Sequence, residues 1–166
     1  MSPTTPIVEV PPIFTRGGPP VRMPKLDRFV ALLVGGGALA LLLVAATLTP
    51  SSDGTGTHTG LGLAKCGLLE ASGVPCITCG YTTAFAHTVR ANFVGAFFVQ
   101  PGGLFTALVA AATAWVGLYE AFTARPAHRM LRLVSLKVWL TVLPTIFLGA
   151  WAWKIYLIST GKDGWD

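Results

Sequence analysis

Residues 29–49 read FVALLVGGGALALLLVAATLT, an apolar run of 21 residues without a charged side chain. An α-helix rises about 1.5 Å per residue, so a run of this length can cross the roughly 30 Å hydrocarbon core of a bilayer. A cleaved signal peptide would have a shorter apolar region nearer to the N-terminus. The run therefore predicts an uncleaved membrane helix.

Two further apolar runs follow, at residues 104–124 and at about 134–158. In the third run, Lys137 and Lys154 are expected to extend their ammonium groups to the two membrane surfaces. The whole chain is 52% hydrophobic and only 11% charged, which is too little charge for the surface of a soluble domain. The sequence thus predicts an all-α integral membrane protein with three transmembrane helices.

The N-terminal segment differs from the rest of the chain because residues 1–24 hold seven of the twelve prolines. Proline blocks both helix interiors and sheet ladders, so this segment is predicted to be a disordered Pro-rich tail. The membrane domain is predicted to occupy residues 25–166. Small residues in the first and second runs predict close helix packing, either within the chain or against another membrane subunit.

The net charge of +5 comes mainly from basic residues beside the apolar runs. Eight of them lie before the first run or between the second and third: Arg16, Arg22, Lys25, Arg28, Arg125, Arg129, Arg132 and Lys137. This distribution is a topology signal. The sequence has no basic face with interleaved aromatic residues, so it does not indicate nucleic-acid binding. The positive-inside rule predicts a cytoplasmic N-terminus and a C-terminus outside.

Residues 60–101, between the first two runs, contain apolar pieces that are too short to span a bilayer. They predict short re-entrant or interfacial helices on the outer face, and this segment is called the cysteine element below. It contains all three cysteines of the chain, Cys66, Cys76 and Cys79.

The sequence Cys76-Ile-Thr-Cys79-Gly80 is typical of a tight turn followed by a helix. Gly80 allows the left-handed backbone that such a turn needs, and Thr82 or Thr83 would lie in the first helical turn. A thiol near the start of a helix has its thiolate favoured and its pKa lowered. The pair Cys76 and Cys79 therefore has a physical basis for reactivity.

Three interpretations of the cysteines remain open. A structural disulfide would use two of them, and a redox dithiol would cycle through Cys76 and Cys79. A metal site would need a fourth ligand beyond Cys66, Cys76 and Cys79. His58, in a Gly/Thr-rich stretch, is the candidate fourth ligand, because His87 would lie roughly 12 Å further along a continuous helix.

A family resemblance rests on Cys66, on SGVPCITCGYTTAF at residues 72–85, on Asn92-Phe93 and on Gln100-Pro101. This pattern resembles the bacterial membrane-protein family called domain of unknown function 2752, over about residues 60–124. The matching positions are Cys66, Pro75, Cys76, Cys79, Gly80 and Thr82. Three positions depart from the family pattern: Ile77 replaces Pro, Thr83 replaces Arg and Gln100 replaces Asn. The resemblance implies a bacterial cell membrane and a structural motif at Pro75, Gly80 and Thr82, and it implies no reaction.

Catalytic sets are missing from the sequence, which has no Ser/His/Asp arrangement and no phosphate-binding glycine loop after a strand. The sequence therefore favours a non-catalytic membrane protein, an accessory or scaffold subunit with a structural or binding element on its outer face. Its expected partners are the lipid bilayer and other membrane subunits. The alternative is a thiol–disulfide redox protein or a metal-binding module that uses the three cysteines.

Overall fold

The computed structural model describes residues 22–128 and 135–162, and these residues are helical with no strand. The predicted tail therefore lies outside the described residues except for 22–24. The six α-helices are α1 (Lys25–Thr47), α2 (Gly67–Ser72), α3 (Tyr81–Thr88), α4 (Phe93–Val99), α5 (Pro101–Thr123) and α6 (Leu136–Ser159). A 3₁₀ turn, Thr57–Leu61, precedes α2.

Three of these helices, α1, α5 and α6, are long and apolar enough to cross a membrane. The predicted fold class is thus confirmed, including the short helices between the first two spans. The boundaries move by a few residues for local reasons. Helix α1 ends at Thr47 and Leu48 is already extended, shortly before Pro50, which disfavours helical backbone in the residue preceding it. Helix α5 begins at Pro101, because proline is well tolerated at the first helical position.

Helices α1 and α5 pack together with their backbones in contact at two glycines. A Cβ on Gly117 would lie 2.8 Å from the carbonyl oxygen of Ala31 and 2.8 Å from the Cα of Gly35. Small buried side chains, Ala114 and Ala121, continue this face of α5. Lipid tails are as apolar as the helix surfaces, so the hydrophobic effect does not drive membrane helices together. Such helices associate through close packing of their backbones, which small residues allow. Gly35 of α1 and the small residues Ala114, Gly117 and Ala121 of α5 therefore pack within the chain.

The cysteine element covers one end of this helix pair. Its α3 helix lies against the start of α5, where a Cβ on Gly103 would come within 2.7 Å of Ala84 Cβ. Below it, Phe85 joins Ala45 of α1 and Ala107 of α5 in a buried apolar cluster. The element is therefore seated on both helices.

Helix α6 joins the rest of the molecule through hydrogen bonds at the same end. Trp153 Nε1 donates to the carbonyl of Phe98 at 2.9 Å, and Lys154 Nζ donates to Gly54 O at 3.0 Å and Val99 O at 3.4 Å. Lys154 is fully buried, so the expectation that its ammonium group reaches the membrane surface is wrong. The reason is that the loop after α1 and the end of α4 cover it and supply carbonyl acceptors.

Candidate thiol site

The three cysteines converge. Their Sγ atoms all lie within 4.8 Å of one another, although Cys66 is ten positions from Cys76 in the chain. His58 is not in this group, and its Nε2 atom lies 2.9 Å from the carbonyl oxygen of Ala64. His87 is also outside the group, with its Nδ1 atom 3.2 Å from the side-chain nitrogen of Asn92. The structure thus brings together the three predicted thiols and neither histidine.

The turn that holds Cys76 and Cys79 is built from backbone hydrogen bonds. The Cys79 N–H donates to Cys76 O at 3.0 Å, and the Tyr81 N–H donates to Thr78 O at 3.1 Å. Gly80 follows with a φ of 86°, and α3 begins at Tyr81 with Thr82 in its first turn, which confirms the turn-then-helix prediction. A side chain at position 80 would also meet Lys154 Nζ at 3.1 Å, so two separate constraints require glycine here.

Cys66 reaches the turn from the residue that precedes α2. The Glu70 N–H donates to Cys66 O at 3.0 Å, and Gly73, with a φ of 70°, ends the helix and reverses the chain. This single helical turn and its reversal return the chain to Cys76. None of the residues of α2 is buried, so packing contributes little to holding this segment in place.

Two side chains from distant parts of the chain, Trp151 and Gln100, hold the turn through hydrogen bonds. Trp151 Nε1 of α6 donates to the carbonyl of Pro75 at 2.9 Å. Gln100 is fully buried, and its Nε2 donates to the carbonyl of Cys79 at 3.3 Å. Sequence reasoning did not assign either residue to the site. Gln100 could have been found from its place in the family pattern, whereas Trp151 carries no local signal.

The thiols of Cys66 and Cys79 differ in pKa. The backbone N–H of Leu69 in α2 lowers the pKa of the Cys66 thiol to about 7, and the Cys76 and Cys79 thiols act in the same direction. Burial raises the pKa of Cys79 to about 12, reinforced by the thiols of Cys66 and Cys76. The sequence predicted an acidic thiol at the start of α3. For Cys79 this is wrong, because burial outweighs the benefit of the helix start.

This difference predicts selective alkylation of the metal-free, reduced protein. The thiolate is the reactive form, so the rate of Cys66 modification by iodoacetamide should rise through a midpoint near pH 7, while Cys79 stays unmodified until the protein unfolds. Peptide mass mapping over a pH series measures both rates. A Cys66 midpoint near about 8.5, the value of an ordinary thiol, would contradict the assignment.

Residues 66–114 match the model of the family described as Protein of unknown function (DUF2752). The matched segment begins at Cys66, includes Cys76 and Cys79, and ends inside α5, so it contains the thiol cluster and the first part of the helix on which α3 packs. The match confirms the resemblance and brings no activity with it. No curated protein and no solved structure matches this chain.

The DUF2752 segment also shows how the chain accommodates one departure from the family pattern. Thr83, one of the three departures named above, is fully buried with its Oγ1 2.8 Å from Thr57 Oγ1. Thr57 is buried as well, and its Oγ1 accepts the Ser51 N–H at 2.9 Å. This pair ties α3 to the loop after α1 through neutral hydrogen bonds.

Proposed function

We propose that this chain is a non-catalytic membrane protein whose cysteine element binds one soft metal ion through Cys66, Cys76 and Cys79. The observation that carries the proposal is the convergence of all three sulfur atoms within 4.8 Å. Thiolate ligands favour zinc, copper(I) or iron–sulfur chemistry over hard cations. The three cysteines form one cluster, so we expect one ion per chain.

The spacing of the sulfurs suits a metal ion better than a disulfide. Three thiolates bound to tetrahedral zinc at about 2.3 Å stand about 3.8 Å apart, so the cluster would contract by no more than about 1 Å. A disulfide would bring two sulfurs to about 2.05 Å and leave the third thiol unused. Cys66 and Cys76 are half-buried and Cys79 is buried, so an ion can enter from the open side and take water or a partner's atom as its fourth ligand.

Binding would also explain what holds α2. Its residues are all at least partly exposed, and Cys66 is its direct neighbour in the chain. A metal bound to Cys66 would tie α2 to the turn at Cys76 and Cys79, and so to α3. Because the ligands must lose their protons, binding would release protons and strengthen as the pH rises.

The metal site predicts one tightly bound ion per chain. Titrating reduced protein with Co²⁺ should give thiolate-to-cobalt charge-transfer absorption that saturates at one equivalent, and Zn²⁺ should displace the cobalt. Cys66→Ser, Cys76→Ser and Cys79→Ser should each weaken binding by at least about 100-fold, since each removes one of three protein ligands. Hydrogen exchange across residues 66–72 should slow when the ion is bound.

Ile77→Ser is the matched control, because it places a serine in the same turn, at a half-exposed side chain, and removes no sulfur. It should bind cobalt like the unchanged protein. Three free thiols with no metal uptake under reducing conditions would reject the metal site. Equal loss of binding in Ile77→Ser would show that the cysteine variants act by disturbing the turn.

A thiol–disulfide redox role is the second candidate, favoured by the contrast between the acidic Cys66 and the buried Cys79. A reactive thiolate beside a protonated thiol is the arrangement of an attacking and a resolving cysteine. Intact mass measured without reductant separates the two roles. A loss of two hydrogen atoms, that is two protons and two electrons, with one remaining free thiol would favour redox chemistry, and three thiols that bind one metal ion would favour the metal site.

We further propose that the protein resides in the cell membrane with residues 1–24 as a cytoplasmic tail and the cysteine element outside. The basic residues of the tail and of the 125–137 loop support this orientation. In right-side-out membrane vesicles, added protease should remove a C-terminal epitope tag and spare an N-terminal one. The reverse pattern would overturn the orientation.

An accessory role is supported by the half of α6 that is far from the cysteine element. Leu136 and Leu140 are 71% and 65% exposed there, and Val138 and Val142 are exposed as well. Apolar side chains at this position need lipid or another membrane subunit as their neighbour. Cross-linking from position 140 in native membranes would distinguish them, because a discrete protein adduct requires a neighbouring subunit.

A further inference from the structure

A groove of about 400 Å³ lies at the end of the helix pair opposite the cysteine element. It runs between the first turns of α1 and the last turn of α5. Its lining residues are Lys25, Arg28, Phe29, Leu32, Ala121 and Phe122. It is called the basic-end groove, and it is separate from the thiol site.

The α1 wall of this groove changes from charged to apolar along the helix. Lys25, Arg28, Phe29 and Leu32 are spaced i, i+3, i+4 and i+7, so they share one helix face. Lys25 is the first residue of α1, while Phe29 and Leu32 lie roughly 6 Å and 10 Å deeper along the axis. The groove therefore has cations at the helix end and apolar side chains at membrane depth.

The Arg28 guanidinium is fixed at the charged end. Its Nε and Nη2 atoms donate to the carbonyl of Ala121 at 3.0 Å and 2.8 Å. A guanidinium carries five N–H donors, so this bond orients the group and leaves donor capacity for an anion. Phe29 and Phe122 are 57% and 77% exposed, which opens the apolar part of the groove sideways to lipid.

The charge around the groove is mainly positive. Arg22 and Arg125 are exposed at the same end of the helix pair. Two acidic residues are also present, Asp27 and Glu120. Asp27 is exposed on the first turn of α1, whereas Glu120 is 4% exposed and accepts from His128 Nδ1 at 2.9 Å. The Glu120 carboxylate is thus buried and turned toward His128, and two acidic groups stand against four basic ones, Arg22, Lys25, Arg28 and Arg125.

We propose that the basic-end groove binds an anionic phospholipid, with its phosphate between Lys25 and Arg28 and an acyl chain along Phe29, Leu32 and Phe122. The order of charge and apolar surface along the groove matches the order of headgroup and chain in a lipid. A free anion would use only the cations, and a neutral lipid would use only the apolar wall. Basic pockets between membrane helices are known to favour anionic headgroups.

Native mass spectrometry of the protein in a neutral detergent tests this site. Phosphatidylglycerol and phosphatidylcholine with identical acyl chains would be titrated separately, and phosphatidylglycerol should bind more tightly. Lys25→Gln should weaken phosphatidylglycerol binding about fivefold, the effect of about one cation near a membrane surface, and leave phosphatidylcholine binding unchanged. Lys25 is exposed, so this change should not disturb folding.

Arg22→Gln is the matched control, because it removes one positive charge from the same end without touching the groove. It should weaken phosphatidylglycerol binding clearly less than Lys25→Gln does, because Arg22 does not line the groove. Equal weakening by Arg22→Gln and Lys25→Gln would overturn the proposal in favour of general charge attraction. Equal affinity for the two lipids would overturn it too, as would displacement of phosphatidylglycerol by inorganic phosphate, which would indicate a plain anion site.

Discussion

Gly35→Ala is expected to destabilise the protein strongly, whereas the same change at the neighbouring Gly36 should be neutral or slightly stabilising. A Cβ at position 35 would lie 2.9 Å from the Leu118 backbone nitrogen and 3.0 Å from the Gly117 Cα and carbonyl carbon. These are backbone atoms of α5, which cannot move aside as a flexible side chain could. The two helices must separate, and overpacking of this kind costs about 1–3 kcal/mol or more.

Gly36 provides a closely matched control, because a Cβ there meets nothing within 4 Å. Both changes replace glycine by the better helix former, a gain of up to about 1 kcal/mol in each case. The difference between their unfolding midpoints in detergent therefore isolates the packing cost. Gly35→Leu and Gly36→Leu should widen that difference further. Similar midpoints for Gly35→Ala and Gly36→Ala would show that the two helices do not cross at Gly35 and Gly117.

Lys154→Met should lower stability by about 2–4 kcal/mol and disturb the thiol site. Methionine has nearly the same length and no N–H groups, so the carbonyls of Gly54 and Val99 would lose their buried donor. Each unsatisfied buried acceptor costs about 1–3 kcal/mol. Lys154 also borders Gly80. Loosening there should therefore reduce cobalt affinity at the neighbouring cysteines as well as the unfolding midpoint.

Lys162→Met makes the same chemical change at an exposed lysine beyond the end of α6, and it should affect neither readout. Thermal unfolding followed by tryptophan fluorescence, together with the cobalt titration, measures both effects. A Lys154→Met protein with an unchanged midpoint would mean that its ammonium group reaches the membrane surface after all. The stability loss without a change in cobalt affinity would show that Lys154 supports the fold independently of the thiols.

Much of the fold could be predicted because a bilayer sets the length of the apolar run that can cross it. A span needs a minimum number of consecutive apolar residues, and residues 29–49 meet this requirement independently of the other helices. The turn at Cys76 and Cys79 was also predictable, since its backbone hydrogen bonds join residues three positions apart and Gly80 supplies the left-handed backbone. Features encoded by near neighbours in the chain were correctly predicted.

Burial was not predictable in the same way, because it depends on residues far away in the chain. The sequence treats Lys154 as a lysine near the end of a span, but its acceptor Gly54 lies 100 positions earlier. The pKa values of the thiols also depend on burial by distant residues. Cys79 lies two residues before the start of α3, as the sequence indicated, yet it is buried and its pKa rises, while the acidic thiol is Cys66.

The sequence by itself determined the three spans, the short helices between the first two, and the cysteine turn, because length, hydropathy and local hydrogen bonding are properties of neighbouring residues. Only the tertiary structure brought Cys66 to Cys76 and Cys79 and placed Trp151 and Gln100 around them. It also showed that Gly35, and not Gly36, faces α5. Each of these contacts depends on how separate helices pack, and no local stretch of residues contains that information.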